Sequence, residues 1–115
     1  MIKLESLKKS NQFKKALKEK KVHSDYFSIF AAKNFYKPEY KNNLLISFVM
    51  KKKIGNAVKR NKIRRKLKAI VQKILKKRGA ISKDYTYIVF GKSNAYAEKQ
   101  NILMPAMITC FSKIK

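Results

Sequence analysis

Acidic residues, histidine and cysteine are scarce in this chain of 115 residues. It has six Asp and Glu, one His, one Cys and no Trp. The six carboxylates are at least six positions apart in the sequence, and His23 is the only imidazole. An acid/base dyad or a metal cage needs several such groups to converge. We therefore expect neither catalytic residues nor a metal site in the chain itself.

Long hydrophobic runs and paired cysteines are absent as well. The longest apolar runs, 44–46 and 48–50, are separated by Ser47 and fall far short of the ~20 residues that span a bilayer. The N-terminus has no apolar signal-peptide segment, and Cys110 cannot form an internal disulfide. We expect a cytoplasmic protein without a membrane partner, folded as one domain over residues 1–115.

Positive charge is the dominant feature of the composition. Thirty Lys and Arg give a formal net charge of +24, although 45% of the residues are hydrophobic. No acid lies between Glu39 and Asp84, and the segment 51–78 within that gap is densely basic. A merely solvated face normally mixes both signs of charge. An acid-free stretch indicates a polyanionic partner, such as nucleic-acid phosphates, an anionic membrane or an acidic protein.

The first half of the chain predicts one helix and two strands. Ser10 can cap a helix of about 11–20, and the aromatic and β-branched residues of 26–36 predict a strand. Pro38 with Asn42 and Asn43 marks a turn, and 44–50 predicts a second strand, apolar on both faces. His23 is interpreted as a polar residue on the surface or at the edge of a strand.

The clearest element is a basic helix from about Asn56 or Ala57 to Lys77, which Gly79 is placed to end. It contains no aromatic residue, which favours nucleic acid over a membrane surface. A third strand is expected over 84–90, and a last helix follows Asn94, with Pro105 either kinking it or opening its second part. The apolar stripe that predicts the basic helix recurs at helical spacing and consists of Ile63, Leu67, Ile70, Val71 and Ile74.

The segment Lys52–Arg65 reads Lys-Lys-Ile-Gly-Asn-Ala-Val-Lys-Arg-Asn-Lys-Ile-Arg-Arg. It resembles the signature of the bacterial ribonuclease P protein subunit. That pattern runs Lys-Lys, an aliphatic residue, Gly-Asn-Ala-Val, any residue, Arg-Asn-Arg, Ile and two basic residues. Lys62 stands where the family has the second Arg of Arg-Asn-Arg, so a point charge replaces a bidentate fork.

The resemblance implies an α+β fold, a two-layer α/β sandwich similar to a ribosomal-protein domain. Its order is α-β-β-β-α-β-α with a left-handed crossover around the basic helix, although parallel connections are right-handed in about 98% of cases. The residues themselves indicate only two strands before the basic helix. The count of three therefore depends on the resemblance.

The resemblance also implies a function. In that family the protein binds a catalytic RNA, and the complex hydrolyses one phosphodiester bond to remove the 5′ leader from precursor tRNA, which yields mature tRNA 5′ ends. The catalytic centre is then in the RNA subunit, which also holds Mg²⁺. The implied partners are the catalytic RNA and precursor tRNA, with no small-molecule substrate and no cofactor bound by the protein alone.

Two groups of residues correspond by position to the RNA contacts of the family. The leader cleft would use Phe13 and Phe30 as stacking platforms, with Leu17 and Lys92 beside them; for the two Phe, ordinary core packing is the alternative. Leu17 replaces a second Phe of the family, and Gly91 replaces an Arg that precedes Lys92. The catalytic RNA would be bound by Lys52, Lys53, Asn56, Arg60, Asn61, Lys62, Arg64, Arg65 and Lys68.

Two other functions are compatible with the composition. One is a small basic ribosomal protein that scaffolds ribosomal RNA, and the other is a transcription regulator with the basic helix in a DNA major groove. The string Gly-Asn-Ala-Val-x-Arg-Asn at 55–61 favours ribonuclease P over the first. The second lacks a helix-turn-helix partner before the basic helix.

Overall fold

The computed structural model describes residues 3–7, 10–33, 43–77, 81–82 and 84–114. These ranges contain three α-helices and five β-strands. Short 3-10 turns at Lys52–Ile54 and Ser93–Ala95 precede the last two helices. The elements in chain order are β1 (Leu4–Glu5), α1 (Ser10–Ala16), β2 (Lys20–His23), β3 (Phe27–Lys33), β4 (Leu44–Val49), α2 (Ala57–Leu75), β5 (Tyr85–Gly91) and α3 (Gln100–Ile114).

The strands form one mixed sheet in the order β1-β4-β5-β3-β2. β2 and β3 form an antiparallel pair, and β3 is antiparallel to β5. β4 runs parallel to both of its neighbours, β1 and β5. Parallel neighbours require a crossover connection, and α2 lies in the connection from β4 to β5. The left-handed sense of this crossover stays a prediction.

One face of the sheet carries the main core. Because side chains alternate along a strand, Phe27, Ile29 and Ala31 of β3 share this face, and α2 and α3 pack against it. The ring of Tyr87 meets the ring of Phe111 edge-on at 5.1 Å. The predicted stripe of α2 is fully buried here together with the stripe of α3, Leu103, Met107, Cys110, Phe111 and Ile114.

The opposite face is only partly covered. The seven-residue helix α1 packs on β3 and β5, where Leu7, Ala16 and Ile88 form a small buried cluster. The aromatic residues around this cluster, Phe13, Phe30 and Phe90, remain half-buried. The short helix therefore leaves part of an aromatic sheet surface open.

The structure confirms the expected order of elements and adds β1 before it. The first helix is shorter than predicted, since it begins at Ser10 and ends at Ala16, and residues 20–23 form β2. Pairing of β2 with β3 outweighs the helical pattern there, and Lys20 Nζ donates to the carbonyl of Ile114 at 2.8 Å. β2 is the strand that the residues alone did not indicate and that the resemblance implied, and it ends at His23.

The later elements agree closely with the sequence. The basic helix and the following strand differ from their predicted bounds by one or two residues, and Asn56 is the N-cap of α2. Pro105 lies inside a continuous α3. The expected helix stop at Gly79 and the turn at Pro38 lie outside the described residues. Within the described part of the chain, none of the helices combines the length and apolar character needed to span a bilayer.

Gly91 is required by close packing between β5 and α2. A Cβ at this position would overlap Sδ of Met50 and lie 2.9 Å from Cγ2 of Ile63. The side chain of an Arg, which the family resemblance would place here, has no room in this core. The departure at Gly91 therefore has a packing reason.

We expect Gly91→Ala to destabilise the protein by about 1 to 3 kcal/mol, because overpacking forces neighbouring side chains out of their rotamers. Urea unfolding measures the free energy. In a Met50→Ala background the same change should cost less, since the overlapping sulfur is gone. An equal cost in both backgrounds would show that this contact is not the reason for glycine.

Candidate nucleic-acid interface

The basic surface begins at the turn that leads into α2. Gly55 has φ of 156°, and a Cβ there would lie 2.8 Å from Cδ of Lys59, so glycine suits this position. Asn56 Oδ1 accepts a hydrogen bond from the backbone N–H of Lys59 at 2.9 Å. The Asn56 oxygen, expected to contact RNA, is thus used to cap the helix.

The other predicted catalytic-RNA residues lie along the 3-10 turn and the first turns of α2. Arg60 and Arg64 are half-buried, and Asn61 Oδ1 accepts from Arg64 Nη1 at 2.7 Å, which holds that guanidinium close to the helix. Because the stripe of α2 is buried, the remaining predicted side chains face outward. The exposed ones are Lys52, Lys53, Asn61, Lys62, Arg65 and Lys68.

Arg60 has an unusual environment within this surface. Its Nε is buried and has no hydrogen-bond partner in the part of the chain that the structure describes. A buried donor without a partner costs about 1 to 3 kcal/mol. A phosphate oxygen is a suitable acceptor for a guanidinium, so the Arg60 side chain is a good candidate for an anion contact.

The flank of α2 that carries Lys66 is hydrogen-bonded to the segment before α3. Lys66 Nζ donates to three backbone carbonyls, those of Ala95 at 3.3 Å, Tyr96 at 2.6 Å and Glu98 at 2.8 Å. Burial lowers the pKa of Lys66, and the charge of Lys62 lowers it further. An ammonium group has three N–H donors, so Lys66 is saturated. It has a structural role within an otherwise outward-facing basic helix.

Two more lysines of this flank meet the same segment. Lys59 Nζ donates to Ser93 Oγ at 2.9 Å and lies 5.2 Å from the centroid of the Tyr96 ring. Lys62 Nζ lies 4.8 Å from that centroid, within the ~6 Å range of cation–π attraction. Lys62, which departs from the family Arg, thus has a protein contact of its own.

We expect Lys66→Met to destabilise the protein by about 1 to 3 kcal/mol, because three carbonyls lose their donor while the apolar stem is kept. The matched control is Lys68→Met on the exposed side of the same helix, which should stay within about 0.5 kcal/mol of the wild type. Chemical unfolding measures both. Equal effects would show that the three hydrogen bonds add no stability.

A cleft of about 610 Å³ lies on the open sheet face beside the basic surface. Leu17, Phe30 and Lys92 of the predicted leader site line it together. Phe13 does not line it and packs beside the small cluster under α1. The remaining lining residues are His23, Ser28, Lys51, Lys53, Ile54, Phe90, Gly91 and Ser93.

Aromatic rings and cations meet in this cleft. The rings of Phe30 and Phe90 pack edge to face at 5.3 Å, and His23 meets Phe30 edge-on at 6.1 Å. Lys51 Nζ lies 5.6 Å from the centroid of Phe90. Such a surface can stack a base and contact its phosphate.

Hydrogen bonds hold the wall of the cleft in place. Lys92 Nζ donates to the carbonyl of Ser24 at 2.6 Å, and an ammonium group has two further N–H donors that can reach other acceptors. His23 Nδ1 and Ser28 Oγ are 2.6 Å apart and hydrogen-bonded. Lys53, expected among the catalytic-RNA residues, lines the cleft and so joins the two surfaces.

Sequence reasoning missed several cleft residues. Phe90 was assigned only to a strand and Lys51 only to the basic stretch, while His23 and Ser28 had no functional assignment. The alternation of side chains along strands could have indicated Phe90, because Phe90 and Phe30 lie on the same face of the paired strands β5 and β3. The position of α1 determines how much of that face stays open, and nothing in the local sequence predicts this position.

The described residues include few possible metal ligands or nucleophiles. Groups of three or more His, Cys, Asp or Glu that could hold a metal ion do not occur among them. Cys110 is buried in α3, and burial raises the pKa of its thiol, so its reactive thiolate form is disfavoured. The basic surface and the cleft adjoin each other, and Lys53 belongs to both.

Comparison with known proteins gives consistent results. The protein is 29% identical over 109 residues to the ribonuclease P protein component of Mycoplasma mycoides subsp. mycoides, which covers 95% of this chain and 94% of the relative. The ribonuclease P protein of Thermotoga maritima has the same fold, with a TM-score of 0.75 at 21% identity over 96% of this chain and 98% of the other. The Staphylococcus aureus ribonuclease P protein aligns with a TM-score of 0.70 at 23% identity over 96% and 94%. The model of the family described as Ribonuclease P matches residues 1–115, and the chain belongs to this family.

Proposed function

We propose that this chain, as a ribonuclease P protein component, binds the catalytic RNA with α2 and its preceding turn and binds the 5′ leader of precursor tRNA in the aromatic cleft. The observation that carries the proposal is that the two surfaces adjoin. Lys53 lines the cleft, and the capped start of α2 follows three residues later. One protein can therefore hold both RNAs side by side.

The surface of α2 suits a folded RNA rich in phosphate. Arg60 and Arg64 present planar guanidinium groups, which bind phosphate oxygens in a bidentate manner. Arg60 has a buried N–H without a partner in the described residues. The exposed lysines around them add charge that steers a polyanion toward the helix. The family match favours this role over that of a ribosomal scaffold protein.

The cleft suits a single-stranded RNA segment. Stacking of bases on aromatic side chains is tolerant of sequence, and leaders of different precursor tRNAs differ in sequence. Phe30 and Phe90 supply ring surface, while Lys51 and Lys92 supply charge beside it. Phe13, expected as a second platform, would act by supporting the cleft rather than by stacking.

The chemical step in this proposal belongs to the RNA subunit. Magnesium bound by the catalytic RNA would activate the attacking water, and the protein would contribute binding and charge. Repulsion between two polyanions falls when cations lie between them. A cytoplasmic location is part of the proposal, because the protein has to reach newly made precursor tRNA.

The purified protein should not cleave precursor tRNA by itself and should stimulate its catalytic RNA most strongly at low magnesium. The physical reason is that protein cations replace screening that magnesium otherwise supplies. Cleavage assays with protein alone, RNA alone and both across a magnesium series test this. Cleavage by RNA-free protein, or no stimulation at any magnesium level, would refute the proposal.

Substitutions should separate the two surfaces. Arg60→Ala with Arg64→Ala should weaken binding to the catalytic RNA and lower its salt slope by about 0.7 to 0.9 log units for each lost phosphate contact. Phe30→Leu keeps an apolar side chain but removes a ring, so it should weaken binding of leader-bearing over mature tRNA by about 1 to 3 kcal/mol.

The matched control for Phe30 is Phe48→Leu, since Phe48 is half-buried on the opposite face of the same sheet. It should leave both binding measurements near their wild-type values. If the Arg and Phe30 variants affect both RNAs to the same degree, the division of labour between the surfaces is wrong.

A further inference from the structure

The second half of α2 borders a groove that shares only Lys68 with the RNA contacts proposed above, among the residues that the structure describes. This groove lies between the helix and β1 and has a volume of about 850 Å³. Leu4 and Leu75 are half-buried in it, and four exposed lysines surround them. The lysines are Lys3, Lys68, Lys73 and Lys76, with Gln72 between them.

The charge of the groove has one sign. All the charged side chains that line it in the described part of the chain are lysines. The nearest acid in sequence is Glu5, which follows Leu4 in β1 and accepts a hydrogen bond from Asn43 Nδ2 at 2.6 Å. Because side chains alternate along a strand, Glu5 and Leu4 lie on opposite faces of β1. The described residues therefore present only positive charge to an occupant of the groove.

We propose that this groove binds the sugar–phosphate backbone of a base-paired stem of the catalytic RNA. The lining that the described residues provide contains no aromatic side chain, so it offers no stacking platform of the kind that unpaired bases use. Lysine is a compact point charge that fits phosphate without fixed geometry. The Gln72 amide can donate to and accept from a 2′-hydroxyl, the group that distinguishes RNA from DNA.

The groove continues the surface assigned to the catalytic RNA, so this inference rests on the proposed function. Lys68 belongs to both surfaces. From Lys68 to Lys76 the helix rises ~12 Å, about as far again as from Arg60 to Lys68. An RNA stem that binds along the first half of α2 can thus also contact the groove beside its second half.

The test removes two lysines that only the groove uses. Lys73→Ala with Lys76→Ala should weaken binding of the full chain to the catalytic RNA by about 5- to 20-fold and lower the salt slope by about one for each lost contact. The charge-matched control, Lys99→Ala with Lys113→Ala, removes two exposed lysines away from the groove. It should change the affinity by less than about twofold, and Lys73→Arg with Lys76→Arg should restore binding.

Short probes identify the chemistry. At the groove, the wild type should bind a fully paired RNA duplex more tightly than a single-stranded RNA of equal length. The wild type should also prefer this RNA duplex over the DNA duplex of the same sequence, and Gln72→Ala should reduce that preference. Thermal unfolding of each variant checks that the fold is intact, which exposed positions should permit.

Three outcomes would overturn the inference. The first is an equal loss of affinity in Lys73→Ala with Lys76→Ala and in the control variant. The second is unchanged affinity in that variant while Arg60→Ala with Arg64→Ala weakens binding. The third is groove-dependent binding of polyglutamate that is tighter than binding of duplex RNA. In each case the proposed function stands. Failure of the wild type to bind the catalytic RNA would instead refute the proposed function itself.

Discussion

Burial of the apolar stripe of α2 against the sheet determines where the basic side chains of this protein face. Ile63, Leu67 and Val71 are completely buried, and each such side chain contributes about 1.5 to 3 kcal/mol. Like-charge pairs on a helix cost only about 0.2 to 0.5 kcal/mol each. The stripe therefore holds an acid-free helix in place despite its self-repulsion. It also fixes the rotation of α2 about its axis, so that one flank contacts the rest of the protein and the remaining surface faces the solvent.

That division gives the lysines and arginines of one helix different roles. Lys66 is saturated by three backbone carbonyls and Lys59 contacts Ser93 and Tyr96, so this flank connects α2 to the segment that also carries Ser93 into the cleft wall. Arg60 and Arg64 lie on the other flank, where Arg64 Nη1 donates to Asn61 and Arg60 Nε has no partner among the described residues. A basic residue count would have treated all of them as one RNA footprint, whereas only the packing shows which cations are already engaged.

Much of this architecture could be predicted from the residues. The stripe predicts α2 to within two residues at each end, and the aromatic and β-branched residues predict β3 and β5. The two-residue strand β1 and the edge strand β2 could not, because their stability comes from pairing with β4 and β3 rather than from local propensity. In the cleft, Leu17, Phe30 and Lys92 were predicted from the family resemblance, while Phe90 and Lys51 required the register of β5 and the path of the turn after β4.

The central position of β5 has a consequence for synthesis of the chain. β5 lies between β3 and β4 and hydrogen-bonds to both, yet it is the last strand in sequence. Until residue 91 has left the ribosome, β2 with β3 and β1 with β4 are separate pairs with unpaired edges, and two-stranded pairs are marginal in water. The sheet thus assembles late and through contacts that are distant in sequence, which slows folding. The basic helix is therefore synthesised before the sheet surface that orients it is complete.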